Sequence, residues 1–248
     1  MNLLEFFSEK NKYKLLKLGF EKACVDNNCE FKVFCKDSKN NDIFRCTHEA
    51  GDSFPKLAIL SGLHGDEPGG PHGILKFLLD KNNYKNINLL SIPVLNPHGI
   101  ERHIRRDSAN KDLNRQWDSN DRKIVAKTKK MILKFSPNAL LSLHEDESVD
   151  GFYLYPSKGF SDGLLKKTVS ILKKHLEPIE DGSIHGDPVK NGIVSNPNVN
   201  KPKHHKSMEF FFEKRKIPNI TLELPSRLPL DKRTKIYCDV LTGICKHF

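Results

Sequence analysis

Short apolar runs alternate with amphipathic stretches along most of the chain. The runs at 30–35, 56–62, 87–95, 139–144, 151–155 and 219–224 are rich in Ile, Leu, Val, Phe or Thr and read as buried strands. Between them, apolar residues recur at three- and four-residue steps and predict helices over 3–18, 70–79, 121–135, 161–176, 207–216 and 231–247. This alternation predicts an α/β fold, a twisted, mainly parallel mixed sheet flanked by helices. The run at 87–95 is almost continuously apolar, as in a strand covered on both faces, with Pro93 ending or bulging its pairing. The stretch 181–205, rich in Pro, Gly and Asn, reads as a long irregular loop and a candidate substrate rim.

Bulk properties narrow the class. The 248 residues suit one full-sized domain, and no Pro/Gly/Ser-rich linker divides 1–248. The start, Met1 to Phe7, lacks a basic opening and a sustained apolar core, so a cytoplasmic address is expected. No apolar stretch approaches the roughly 20 residues that span a bilayer. The six cysteines form no C-x-x-C pair and are expected as free thiols. A net charge of +10 comes from dispersed lysines with short clusters, as at 127–130 and 201–206. Such a surface attracts anions, but no helix-turn-helix, zinc-finger or aromatic RNA-binding pattern accompanies it, which argues against nucleic acid as the partner.

The chemistry gathers at strand ends. His64, Asn96, His144 and Glu223 each lie at or just beyond the C-terminal end of a predicted strand, where open α/β sheets bind ligands. His64 and Glu67, three apart in a tight turn, can face one metal ion, and the distant His144 completes a three-donor set. Two imidazoles and a carboxylate suit Zn²⁺, one per chain, and leave a fourth position open, as catalysis requires. Taken singly, each residue has an ordinary explanation, His as a hydrogen-bonded side chain and Glu67 as a helix-start acid; the combination points to the metal. A second block runs from Asn96-Pro97-His98-Gly99 through Arg105-Arg106-Asp107 to Asp112-Leu113-Asn114-Arg115. Asn114-Arg115 is a candidate clamp for a terminal carboxylate, or else an ordinary loop salt-bridging pair. Glu223 is a single acid inside the apolar run 220–224, and at a metal crevice it is a candidate general base. Glu145, Asp146 and Glu147 read as solvated loop acids, one of which could orient a ligand imidazole. His185, His204 and His205 have no metal-site spacing and read as substrate contacts at most.

In chain order these blocks resemble the zinc carboxypeptidase superfamily, which includes carboxypeptidase A-like enzymes, murein peptide amidases and the succinylglutamate desuccinylase/aspartoacylase branch. The resemblance covers roughly 56–226 and rests on His64-Gly65-Asp66-Glu67-Pro68, Asn96-Pro97-His98-Gly99, Asp112-Leu113-Asn114-Arg115, Ser142-Leu143-His144 and Thr221-Leu222-Glu223-Leu224-Pro225. It implies Zn²⁺ held by His64, Glu67 and His144, with Glu223 as the catalytic glutamate. It also implies Arg105 polarising the scissile carbonyl, with Arg106 competing for that role, and Asn114 and Arg115 gripping the substrate's carboxylate. Two departures stand out: His98 replaces the acid usual in the N-P-D-G block, and Asp107 stands where Asn is common, which puts the loop's internal bonding in question. The mobile tyrosine of many carboxypeptidases has no evident counterpart, because Tyr153 and Tyr155 follow the third donor closely.

The expected activity is a zinc-dependent hydrolase cleaving an amide next to a carboxylate-bearing residue. The leading form is a metallocarboxypeptidase on short peptides, peptidoglycan-derived ones included. The alternatives are an N-acyl amino acid deacylase of the desuccinylase type and an inactive, metal-bound basic binding protein.

Overall fold

The computed structural model describes residues 13–195 and 204–248. Among the described residues, ten strands form one mixed sheet in the order β1-β2-β4-β3-β5-β10-β6-β9-β8-β7. They are β1 (Glu30–Lys36), β2 (Asp42–His48), β3 (Lys56–Leu60), β4 (Asn88–Ile92), β5 (Ala139–Asp146), β6 (Tyr153–Pro156), β7 (Gly182–Ile184), β8 (Asp187–Lys190), β9 (Ile193–Val194) and β10 (Asn219–Pro225). The helices are α1 (Tyr13–Asp26), α2 (Gly69–Leu78), α3 (Pro97–Arg102), α4 (Lys123–Phe135), α5 (Asp162–Leu172), α6 (Met208–Glu213) and α7 (Leu230–Cys245).

The four central strands β4, β3, β5 and β10 run parallel. Both flanks turn largely antiparallel: β1 and β2 on one side, β6 and the small β7–β9 group on the other. Parallel character is thus confined to the strands whose apolar runs are continuous, where both faces are covered. Alternation along the strands sorts side chains between two cores. Leu57, Ile59, Leu141, Leu143, Ile220 and Leu222 pack with α1, α2, α5 and α7, whereas Ala58, Leu60 and Leu140 pack with α4 and α6. The same period of two places Ser142, His144, Thr221 and Glu223 on the α4/α6 side.

Five of the expected helices and all six expected strands are present within a few residues. Of the helix expected over 3–18, residues 13–18 open α1, which runs eight residues past the expected end to Asp26, and residues 3–12 lie outside the described residues. β2 goes beyond the expected strands: its alternation, Asp42-Ile43-Phe44-Arg45-Cys46-Thr47-His48, is broken by adjacent buried Ile43 and Phe44 and by polar ends. Within the expected loop at 181–205, the described residues 181–195 instead contain β7, β8 and β9, whose two to four residues each carry too little pattern to register, and 196–203 lie outside the described residues. The six cysteines are free. Among the described residues, no helix is long and apolar enough to cross a membrane.

Candidate metal centre and active site

Each parallel strand ends by delivering a polar side chain to one crevice. Beyond β3 the chain turns through Ser61 to Leu63 and presents His64, with Glu67 following just before α2. Gly65 makes this turn possible. Its N–H bonds Ile104 O at 3.1 Å, and a Cβ there would overlap the backbone of Gly99. Asn96, beyond β4, caps α3 by accepting from Gly99 N at 2.9 Å and donates to Arg105 O at 3.1 Å. That bracket packs the 96–105 loop against the His64 turn. Gly65→Ala is therefore expected to lower unfolding stability by at least about 2 kcal/mol, as overpacking against backbone does, measured by urea denaturation.

His64, Glu67 and His144 are 2 %, 5 % and 3 % exposed, and each offers a ligand atom within 4.8 Å of the others. His64 Nδ1 lies 2.6 Å from Glu67 Oε1, and His144 Nδ1 lies 2.8 Å from Glu67 Oε2. His64 also faces a second carboxylate, its Nε2 standing 3.1 Å from Asp112 Oδ1. A neutral imidazole has one donor and one acceptor. With both His64 nitrogens facing carboxylate oxygens, either the ring carries two protons or a cation belongs at Nδ1. The donor set fits the second case, with Asp112 accepting from Nε2–H and fixing the tautomer.

The surrounding carboxylates favour positive charge at these imidazoles, whether carried as a proton or supplied by a cation. Burial opposes a charged His64, but Glu67 and Asp112 outweigh it and lift its pKa to about 9. Burial likewise opposes an ionised Glu67, yet the two imidazoles hold its carboxyl far below the usual carboxylate range. Asp112 behaves the same way beside His64 and Arg105.

Arg105, not Arg106, reaches this group. Arg105 Nη1 lies 3.3 Å from Glu67 Oε1 and its Nε 3.3 Å from Asp112 Oδ2, while Arg106 donates to Asn110 O at 3.1 Å within its own loop. Asp107, whose bonding the sequence leaves in question, organises that loop. Its Oδ1 accepts from Ala109 N and Lys111 N, both at 2.9 Å, and its Oδ2 pairs with Arg122.

Glu223 lies in register with His144 on one side and Tyr153 on the other, so the three form a row across β5, β10 and β6. Burial pushes its carboxyl well above the ordinary value; Glu67, Asp146 and Glu209 repel its charge, and His144 opposes them. Tyr153 OH donates to Asp146 Oδ2 at 2.6 Å, and His185 Nε2 lies 2.9 Å from the same oxygen. His185 thus approaches the site from the β7–β8 turn, while His205 packs against the Phe210 ring; the side chain of His204 lies outside the described residues.

Asn114 and Arg115 form a 3-10 turn capped by Asp112, which accepts from Asn114 N at 2.9 Å. Arg115 Nη1 donates to Asn114 O at 2.8 Å. The Asn114 amide is 3.3 and 3.5 Å from the two oxygens of Glu209, and its Oδ1 accepts from Met208 N at 2.9 Å. The sequence does not single out Glu209, because it sits in a short amphipathic helix with no motif around it.

One expectation about the acids after His144 is corrected. Glu145 is not a solvated loop acid. It is 6 % exposed, its Oε1 accepts from Gly69 N at 2.7 Å and its Oε2 pairs with Arg233 of α7. β5 continues past His144 to Asp146, so Glu145 points to the helix-covered face opposite His144. There it ties the starts of α2 and α7 to the strand that carries His144, and Tyr237 OH donates to His144 O. Burial pushes the Glu145 carboxyl up to about 8 against the pull of Arg233. Arg233→Ala is expected to cost about 3 kcal/mol of stability, the low end for a broken buried pair because the stranded carboxyl can protonate; urea unfolding of the variant checks this.

With the geometry in place, similarity to known proteins decides the family. Residues 25–158 match the model of the family described as carboxypeptidase controlling helical cell shape, catalytic. The chain belongs to this family. Membership of this carboxypeptidase family, together with a buried His-Glu-His donor set, makes it an enzyme, a metallocarboxypeptidase or amidohydrolase. No curated protein sequence matches the chain. Solved structures share the fold. A Shewanella amazonensis protein named as a metallopeptidase superposes at TM-score 0.83 and 20 % identity over 94 % of this chain and 92 % of that one. A Shewanella denitrificans metallopeptidase-named protein gives 0.81 at 23 % identity, over 96 % and 90 %. The murein-tripeptide amidase MpaA from Escherichia coli O157 gives 0.61 at 14 % identity, over 87 % and 91 %.

Proposed function

We propose that the chain is a zinc carboxypeptidase that removes a residue bearing a free carboxylate from short peptides, with peptidoglycan-derived peptides as the substrate class. The observation that carries the metal assignment is the convergence of two histidine Nδ1 atoms on one buried carboxylate, with Glu223 in the adjoining strand row. His64, Glu67 and His144 would hold the ion, and two imidazoles with one carboxylate favour Zn²⁺ among the divalent metals. Bound there, the ion supplies Lewis acidity, making an attacking water more acidic and polarising the scissile carbonyl.

The remaining roles belong to the chain's own side chains. Glu223, in the strand row between His144 and Tyr153, takes the proton of the attacking water and hands it to the departing amine. Arg105, whose guanidinium borders the Glu67 end of the site and is partly exposed, meets the negative charge that develops on the carbonyl oxygen. Arg115, with Asn114 beside it, receives the substrate's carboxylate and so fixes which amide reaches Glu223. A family named for control of cell shape and a fold shared with a murein-tripeptide amidase support the cell-wall peptide as substrate class.

The test is amine release by the purified, zinc-loaded protein from short muropeptides, from the same peptides with the terminal carboxylate amidated, and from N-acyl amino acids. Hydrolysis of the free-acid peptides alone is expected. Hydrolysis only of N-acyl amino acids would move the chain to a deacylase activity, and equal rates on amidated peptides would remove the carboxylate requirement.

A further inference from the structure

Glu209 is an acid beside the metal site that neither the motifs nor the proposed chemistry uses. It stands in the first turn of α6, a helix capped by Ser207 and anchored in the core by Met208 and Phe212. Its Oε1 accepts from Thr221 Oγ1 at 3.1 Å and from Asn114 Nδ2 at 3.3 Å. On its remaining side lies His144, with Nε2 4.0 Å from Oε1. The carboxylate is thus held from behind by two donors and pointed at a histidine.

His144 has a matching need. Its Nε2 is buried and has no hydrogen-bond partner among the described residues. An imidazole that ligates a metal through Nδ1 carries its one proton on Nε2, so that nitrogen must be a donor. Left unpaired, a buried donor is unfavourable, because it has given up water and gained nothing in return. His64 meets the same requirement through Asp112 at 3.1 Å. For His144 the corresponding carboxylate is Glu209, and closing the distance to hydrogen-bond length takes a movement of about 1 Å, within reach of a small rotation of either side chain.

We propose that Glu209 is the positioning residue of His144, accepting its Nε2–H and holding the ring with Nδ1 toward the metal, as Asp112 does for His64. The proposal rests on the reading of His144 as a metal ligand. Asn114 then has a second role, because its amide steadies Glu209 and so connects the segment carrying the carboxylate clamp to a metal ligand through one side chain. Signals in the sequence could not show this, since Glu209 lies 65 residues beyond His144 and meets it only because α6 covers the face on which His144 and Thr221 emerge.

The experiment uses the full chain and zinc itself. Zinc affinity is measured by competition with a chromophoric chelator for the wild type, Glu209→Gln and Glu209→Ala, and the ring N–H protons of the zinc-loaded proteins are followed by NMR. The wild type is expected to bind one zinc and to show a slowly exchanging His144 Nε2–H resonance. Glu209→Ala is expected to lose that resonance and to bind zinc about 10–100-fold more weakly. Glu209→Gln keeps an acceptor oxygen of the same shape, folds with the wild-type contacts, and is expected to fall between the two with a shifted resonance. Unchanged zinc affinity and an unchanged resonance in Glu209→Gln would overturn the proposal. A raised KM with unchanged zinc affinity would overturn it as well, and would assign Glu209 to the substrate. Failure of the wild type to bind stoichiometric zinc would instead overturn the underlying metal reading.

Discussion

Glu223→Gln is expected to keep the fold and the bound metal and to lower kcat by about 10²–10⁴-fold, the contribution typical of a positioned general base. Gln has the shape of Glu but cannot take a proton. Glu223 lies in the middle of a buried row, beside His144 and Tyr153, and its neighbours Glu67, Asp146 and Glu209 are all acids. Gln brings no charge into that group of acids and keeps the side-chain shape, so the variant is expected to unfold at the wild-type denaturant concentration or slightly above it. The pairing of retained stability with lost turnover separates a chemical role from a structural one. A variant within about tenfold of the wild-type kcat would remove Glu223 from the role of base, since even the low end of the range is about 10².

Stripping the metal is the second large effect expected. A chelator should abolish hydrolysis, and restoring Zn²⁺ should recover it. An ion held as proposed by the folded arrangement of His64, Glu67 and His144 should also stabilise the fold by mass action, by about 4 kcal/mol at a free concentration a thousandfold above Kd. The donors come from the turn after β3 and from the end of β5, which are far apart in sequence and adjacent in the sheet only once β3 and β5 have paired. Thermal unfolding with increasing zinc checks this. The melting temperature should climb with ligand concentration in the wild type and stay flat in His144→Ala; a flat response in the wild type would contradict a native-state metal site.

Much of this centre is legible in the sequence because its residues sit at the ends of strongly apolar strands. His64, His144 and Glu223 each follow or interrupt a run whose burial is nearly complete, so their polarity stands out against it. Arg105 and Arg106 are adjacent and chemically equal in sequence; the Asn96 bracket, which bonds Arg105 O and packs the loop on Gly65, is what turns Arg105 toward Glu67. Glu145 is easily misread because a strand's far end looks like a loop when three acids follow a histidine, and its partner Arg233 lies 88 residues away. β7 to β9 escape the pattern for another reason: a two-residue strand such as Ile193–Val194 takes its identity from pairing with β6 and β8, not from its own alternation. Glu209 illustrates the same limit, an ordinary surface-type residue made special by what the tertiary fold sets opposite it.

The most direct test of the metal centre is the zinc content of the purified wild-type chain and of His64→Ala, each dialysed against the same zinc-containing buffer and assayed on the same peptides. One zinc per wild-type chain, lost in His64→Ala together with peptide hydrolysis, is the predicted result. A wild-type chain that hydrolyses peptides with no stoichiometric metal, or a His64→Ala chain that retains its zinc, would contradict it.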